Sequence, residues 1–363
     1  MSAAVLGIGT ALPPRSIAQR DAAELAKAFC GPTREHAELL PVLYRRTGIR
    51  KRGSVLLGPA PGNGVDQSFF PPAAGAVDRG PTTRERMQRY AQEAPVLALE
   101  AARRALGASD TAPRQITHLL TVSCTGFVAP GVDIALIKQL DLPSSIGRAH
   151  IGFMGCHGAL NGLRIAEALV SADPAARALL CAVELCSLQF RYGSDPEHAV
   201  ANALFADGAA ALVAAPSAQG SSEAWRTAAF GSYLFPDSED AMTWRIGDHG
   251  FEMTLSARVP DLIAAHLRGW LVAWLTQQGL ALERIGSWAV HPGGPRLLNT
   301  VAACLGLSTR ALAASRAVLT EYGNMSSPTV LFILDRLRKR HAPRPCVALG
   351  FGPGLVVEAA LFV

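Results

Sequence analysis

The chain repeats its own pattern, and no other feature constrains its fold as much. Residues 117–123 read as a buried strand, followed by a Gly/Pro turn at Thr125–Gly131 and a helix over Val132–Leu140. Next come a strand, a glycine turn and a helix through Ile151–Arg164, then a strand at Ala178–Val183. The same order returns later: a strand at Ile285–Val290, the turn His291-Pro292-Gly293-Gly294-Pro295, and a helix to Leu305. Tyr322–Pro328 then opens a helix to about Arg340, followed by a strand at Pro345–Phe351. The offsets are nearly constant: 168 from Val122 to Val290, 168 from Cys156 to Asn324 and 165 from Cys181 to Cys346. A repeated αβ unit of this length predicts two similar halves packed on one another, residues 1–218 and 219–363. In open α/β sheets, strand ends and helix starts line the ligand crevice. The offset sets Cys156 opposite Asn324 and His291 opposite Ser123 at such places.

Cys156 lies in Ile151-Gly152-Phe153-Met154-Gly155-Cys156-His157-Gly158. After the glycine turn, Leu160, Leu163, Ala166 and Val170 recur at helical spacing. A thiol at a helix start meets the dipole and free N–H groups, which predicts a lowered pKa. An inert core cysteine is the competing reading. Histidine serves a thiol as base or cationic partner, and an asparagine amide stabilises a developing oxyanion. A strand-end His291 and a helix-capping Asn324 are each unremarkable alone. Their joint placement at equivalent points of a duplicated chain favours the functional reading. His157, one residue along the helix, is expected to point away from Cys156.

The bulk composition narrows the classes. With 49% hydrophobic and 17% charged residues, the chain buries a large core. It has no apolar run of roughly 18 residues for a membrane span, and its N-terminus reads as a strand, not a signal peptide. Seven scattered cysteines, without metal spacing, fit free thiols in a reducing cytoplasm. The net charge is +5, densest at Arg45, Arg46, Arg50, Lys51 and Arg52. Without interleaved aromatics, that cluster suits a polyphosphate ligand such as coenzyme A better than nucleic acid. Gly7-Ile8-Gly9 is followed by Leu12 where a dinucleotide fingerprint needs glycine. Further expectations are a helix over 18–29, a long loop over 53–80, and a helix capped by Thr83, running to Leu106 and kinked at Pro95.

Two enzyme classes use Cys, His and Asn in this order. A papain-like hydrolase fits the spacing of 135 between Cys156 and His291, but no CGSCW-like segment surrounds Cys156. Thiolase-like condensing enzymes are duplicated as this chain is. His291-Pro292-Gly293-Gly294-Pro295, Glu321-Tyr322-Gly323-Asn324-Met325-Ser326-Ser327 and Gly350-Phe351-Gly352-Pro353-Gly354 resemble signatures of the type III polyketide synthases, the chalcone synthase family. So do Ala203–Ala210 and the Gly155-Cys156 turn. The resemblance covers nearly the whole chain. It implies an α/β, layered αβαβα thiolase-like fold, a homodimer, and coenzyme A thioesters as substrates with no metal or other cofactor. It also implies loading of an acyl-CoA starter on Cys156, extension by decarboxylative condensation with malonyl-CoA, and cyclisation to a small aromatic or pyrone product. His291 and Asn324 would stabilise the enolate and oxyanion, with His291 pairing the Cys156 thiolate.

By the same resemblance Phe205 and Met253 fall at gatekeeping positions between tunnel and cavity. Met253 departs from the plant phenylalanine, and Cys124-Thr125 from the plant Thr-Ser, as in bacterial members making naphthalene, pyrone or resorcinol products. Gln189 falls at a cavity-lining position. Ala129 replaces a bulkier residue that reaches into the partner's cavity, and Gly352 and Gly354 shape the cavity floor. Arg46 and Arg296 match tunnel-mouth cations for the CoA phosphates. A single-round ketoacyl synthase and a non-catalytic pathway partner share parts of this pattern. The Gly-Phe-Gly-Pro-Gly loop argues against the first, and the intact Cys/His/Asn set against the second.

Overall fold

The computed structural model describes residues 2–29, 34–59, 65–193, 195–220 and 223–363, so Cys30 and part of the expected 53–80 loop lie outside the described residues. In the first half, β1 (Ala3–Ala11), β2 (Ser16–Ala18), α1 (Gln19–Lys27), α2 (Arg34–Arg46), β3 (Lys51–Gly53), β4 (Gly58–Pro59) and β5 (Val65–Asp66) lead into α3 (Thr83–Ala108). Next come β6 (His118–Ser123), α4 (Val132–Leu140), β7 (Gly147–Gly152), α5 (Gly158–Ala172), β8 (Ala178–Leu185), α6 (Pro196–Leu204) and β9 (Asp207–Pro216). The second half holds β10 (Trp225–Leu234), β11 (Met242–Gly247), β12 (Gly250–Leu255), α7 (Val259–Gln277), β13 (Ser287–Val290) and α8 (Pro295–Leu305). It ends with α9 (Ala313–Tyr322), α10 (Pro328–Lys339), β14 (Cys346–Gly352) and β15 (Val356–Phe362).

Nine strands share one hydrogen-bonded sheet in the order β13-β14-β15-β10-β1-β9-β8-β6-β7. Its two ends are built alike. On one side the parallel pair β6/β8 continues into antiparallel β9 and β1. On the other the parallel pair β13/β14 continues into antiparallel β15 and β10. Within the sheet the halves join at β1 and β10, through Ala4↔Arg226 and Val5↔Trp225.

Strand side chains alternate between two faces, and the cores follow that alternation. Leu180, Ala182, Leu212, Ala348, Ala360 and Phe362 pack with α5 and α10 in a central core drawn from both halves. Leu179, Cys181, Val183, Ala211 and Val213 face α1–α4. Val347, Leu349, Val357, Ala359 and Leu361 face α7 and α8. The result is five layers, helix–sheet–helix–sheet–helix, with α5 and α10 in the middle. Each fully buried leucine there contributes about 1.5–3 kcal/mol.

Face parity corrects the repeat register. Val122 lies in the central core and Val290 in an outer one, so they are not equivalent. Ala289 shares the central face with Val122, an offset of 167. His291, the first residue after β13, then corresponds to Cys124, the first after β6, and not to Ser123. Helix α3 is capped by Thr82, whose hydroxyl accepts from Glu85 N at 3.3 Å while Glu85 accepts from Thr82 N at 2.7 Å. The expected cap, Thr83, instead donates its hydroxyl to the Gly247 carbonyl. Pro95 lies within an α3 that runs on unbroken. Among the described residues no helix is long and apolar enough to cross a membrane.

Candidate active site

Strand β7 ends at Gly152, and a single 3-10 turn, Gly155–His157, leads into α5. Gly155 adopts φ +69°, and a β-carbon on it would stand 2.4 Å from the Pro353 ring. The turn that presents Cys156 is therefore seated against the 352–354 loop with no room for a side chain. Cys156 stands at the helix start, as its spacing implied.

Its thiol lies beside the Ser326 and Asn324 side chains, which act on it electrostatically. Asn324 is itself locked. Its backbone N–H donates to Leu204 O at 3.0 Å, its carbonyl accepts from Ala206 N at 2.8 Å, and its Oδ1 accepts from Ser326 N at 2.8 Å. With Oδ1 occupied, the amide NH₂ is the end left for the thiol side. His291 leaves β13 with its N–H on Leu349 O at 2.8 Å, and its ring is fully buried with neither nitrogen hydrogen-bonded.

Electrostatics correct the expectation of an acidic thiol. Burial pushes Cys156 up to about 12, against the smaller lowering effects of its bonds to Ser326 and Asn324. Burial, and secondarily the neighbouring His157, pushes His291 down to about 3. Desolvation penalises both charged forms, and it outweighs the helix-start field, so the resting pair is thiol and neutral imidazole.

Behind the thiol lies a buried carboxyl that sequence reasoning missed. Glu184 Oε1 accepts from Ser327 Oγ at 2.6 Å; Oε2 accepts from Thr125 Oγ1 at 2.8 Å and Cys124 N at 2.9 Å. Burial raises it to about 7 even so. The available signal was a lone carboxylate in the apolar run Ala178–Leu185, since an unpaired buried charge is too costly to be incidental. The Cys124 thiol accepts from Gly155 N at 3.1 Å, tying this network to the Cys156 turn.

A mostly apolar cavity of about 70 Å³ lies over Cys156. Of the expected residues, Cys124, Thr125, Gln189, Phe205 and Met253 line it with Cys156. Gln189 is fixed by donating to Thr125 O at 2.8 Å and accepting from Phe251 N at 2.7 Å. His291 and Asn324 are not in its wall. Gly352 and Gly354 flank the wall residue Pro353 without lining the cavity themselves. Ala129 sits in an exposed loop away from the chain's own cavity, and Arg46 and Arg296 are exposed and outside it. Cys186, Phe190, Trp244, Phe251 and Ser326 also line the cavity, as do the polar Arg191 and His198. No spacing in the sequence singled them out, because β11, β12 and the 186–191 segment meet only in the folded chain.

A buried Cys–Asn contact beneath an apolar cavity, in a five-layer duplicated αβ fold, defines a thiol-dependent condensing enzyme. Residues 1–217 match the N-terminal domain of the chalcone and stilbene synthases and residues 228–363 their C-terminal domain, and the chain belongs to that family. It is 33% identical to the alpha-pyrone synthesis polyketide synthase-like Pks18 of Mycobacterium tuberculosis, over 99% of this chain and 91% of that protein. It is 34% identical to the 1,3,6,8-tetrahydroxynaphthalene synthase of Streptomyces peucetius subsp. caesius, over 98% and 92%. Among solved structures, PKS-I of the brown alga Ectocarpus siliculosus superposes with a TM-score of 0.92 at 32% identity, covering 99% of this chain and 98% of that one. The C-terminal type III polyketide synthase domain of Dictyostelium Steely1 gives 0.89 at 26%, covering 100% and 99%. The chain is a type III polyketide synthase, an acyltransferase.

Proposed function

We propose that the enzyme loads an acyl-CoA starter on Cys156, extends it with malonyl-CoA and cyclises it to a small aromatic or pyrone product. The observation that carries this reading is the Cys156 thiol, set beside Asn324 and lining a mostly apolar cavity. The neutral resting pair shapes the first step. His291 takes the Sγ proton as the sulfur attacks the thioester carbonyl, and the departing CoA thiolate recovers that proton. In extension the malonyl carboxylate leaves as carbon dioxide, and its electron pair forms an enolate. The enolate carbon attacks the Cys156 thioester, and the sulfur departs as thiolate. Asn324 NH₂ and His291 stabilise the oxyanions, a role most effective in a dry site.

Cys124, Thr125, Gln189, Phe205 and Met253 shape the starter and product space, and an aliphatic or malonyl starter suits Met253. Arg46 and Arg296, both exposed, are assigned to the CoA phosphates, so binding weakens with salt. A homodimer is the proposed assembly. Strand β7 is an edge strand with Arg148, Ala149 and His150 exposed, and Phe127, Val128 and Met154 are exposed apolar residues of the adjoining turns. Ala129 lies in that same region. The free cysteines among the described residues accord with a reducing cytoplasm.

The test is incubation with labelled malonyl-CoA and a panel of acyl-CoA starters. Wild type should give discrete products by mass spectrometry and Cys156→Ala none; equal product patterns would overturn the reading.

A further inference from the structure

The cavity over Cys156 has a charged side that the mechanism above leaves without a task. Arg191 and His198 stand in the same wall as Cys156, among mostly apolar neighbours. The cations assigned to the CoA phosphates, Arg46 and Arg296, lie outside that wall.

Helix geometry sets Arg191 and His198 side by side. His198, Ala201, Asn202 and Phe205 recur at the spacing of one face of α6 and its C-cap, and all four line the cavity. Asn202 grips Arg191 at both backbone groups: its Oδ1 accepts from Arg191 N at 3.2 Å, and its Nδ2 donates to Arg191 O at 2.8 Å. Arg191 is therefore pinned one helical turn from His198. Two residues earlier, Gln189 is fixed on Thr125 O and Phe251 N, so the 189–191 segment is held from both sides of the cavity.

The Arg191 guanidinium is compensated less than its burial calls for. Its Nη1 donates to Glu252 Oε1 at 3.1 Å, but the Arg191 side chain is 18% exposed and that of Glu252 is 51% exposed. An ion pair with a half-exposed partner is weak and exchanges readily. A guanidinium is a fixed fork of N–H donors that matches a carboxylate. An acyl chain filling the apolar part of the cavity would strip water from Arg191, and a carboxylate beside it gains from the lower dielectric.

We propose that Arg191 and His198 form a carboxylate subsite for a starter acyl group that ends in a second, free carboxyl: the coenzyme A monothioester of a short dicarboxylic acid, with Glu252 as the built-in competitor. The carboxylate read here is one that the condensation keeps. A cation fixed on the extender's carboxylate would stabilise the group that must leave as carbon dioxide, and binding that favours the ground state slows the step. The cavity is only about 70 Å³, so a short chain on Cys156 stays within the wall that holds Arg191. His198 adds an N–H donor even as a neutral ring. The subsite rests on the loading role proposed for Cys156.

The test compares transfer of two acyl groups of equal chain length to Cys156, from succinyl-CoA and from butyryl-CoA, which differ by a terminal carboxylate. In both, the acyl carbonyl passes from the CoA sulfur to Cys156 Sγ and CoA leaves with the thiol proton. Mass spectrometry of intact protein follows each adduct with time. Arg191→Gln should lower the succinyl rate by ~10-fold or more and leave the butyryl rate within about two-fold. Arg191→Lys, which keeps the charge without the fork, should fall between. Glu252→Gln removes the competitor and should raise the succinyl-to-butyryl ratio by ~2–5-fold. Equal losses for both acyl groups in Arg191→Gln overturn the proposal and make the pair with Glu252 a brace for β12. So does a Glu252→Gln enzyme with the wild-type ratio, and so does the absence of a succinyl adduct on wild type. Failure of the underlying reading is separate: Cys156→Ala would then still carry the butyryl adduct.

Discussion

The helix starts of α5 and α10 occupy matching places in the two halves, and they are treated in opposite ways. Cys156 is presented on a tight turn after β7, partly open to the cavity. Asn324 is 1% exposed, bridged through its backbone to Leu204 and Ala206 of the first half, with its side-chain oxygen already occupied. Among the described residues the first half gives five strands to the nine-stranded sheet and the second four, because β7 has no counterpart beside β13. Where the second half lacks that strand, the 323–327 segment reaches over to the first half through the Phe205↔Asn324 bridge. In the proposed mechanism one copy thus delivers a group that changes its bonding during reaction. The other delivers a group held still, and preorganised donors are effective because they need no reorganisation when charge appears.

This contrast can be broken most directly at the nucleophile. Cys156→Ala should abolish product formation, since it removes the thiol assigned to acyl loading; mass spectrometry of intact protein after incubation with an acyl-CoA should show no acyl adduct. Asn324→Ala should keep the acyl adduct but lower kcat by ~10²–10³-fold. Loss of the adduct as well would assign Asn324 to the loading step. The buried carboxyl behind both sites gives the next largest effect. Its pKa is raised to about 7 in the folded chain from 4.5, so the folded state binds more protons between those values and stability falls as pH rises through them. Glu184→Gln should flatten the denaturation midpoint over pH 4.5–7 relative to wild type, by ~3 kcal/mol. Asp207, raised to about 6 by burial, titrates in the same direction in both proteins and leaves a residual slope. An unchanged difference across that range would show that Glu184 is ionised throughout. The smallest effect belongs to the wall: Met253→Phe should shift the product ratio towards shorter chains by a few-fold without changing the rate of Cys156 acylation.

Much of this was legible in the chain. Helix α8 matches its expected limits, and α4 likewise, because each is bracketed by turn residues and carries a clear apolar period. Cys156, His291 and Asn324 stood out because the repeat placed them together. The offset itself was misjudged by one residue at the strands, since a one-residue slip exchanges the two faces of a strand and only packing shows which face is inside. Thr83 was preferred to Thr82 as the cap because adjacent threonines are equivalent until Glu85 closes the box on one of them.

The sequence by itself determined the duplication, the order of elements and the three side chains proposed to react, because these follow from periodicity, turn chemistry and residue type along the chain. Tertiary structure decided the state in which those side chains rest. Burial raised the pKa of the thiol expected to be acidic, and His157 came to pack on the bare backbone of Gly350 and Gly352. Glu184 gathered four donors from two separate segments, 123–125 and Ser327, and Phe205 was tied to Asn324 across 119 residues. Protonation depends on how much water is excluded and on which dipoles converge, and both are properties of the assembled volume.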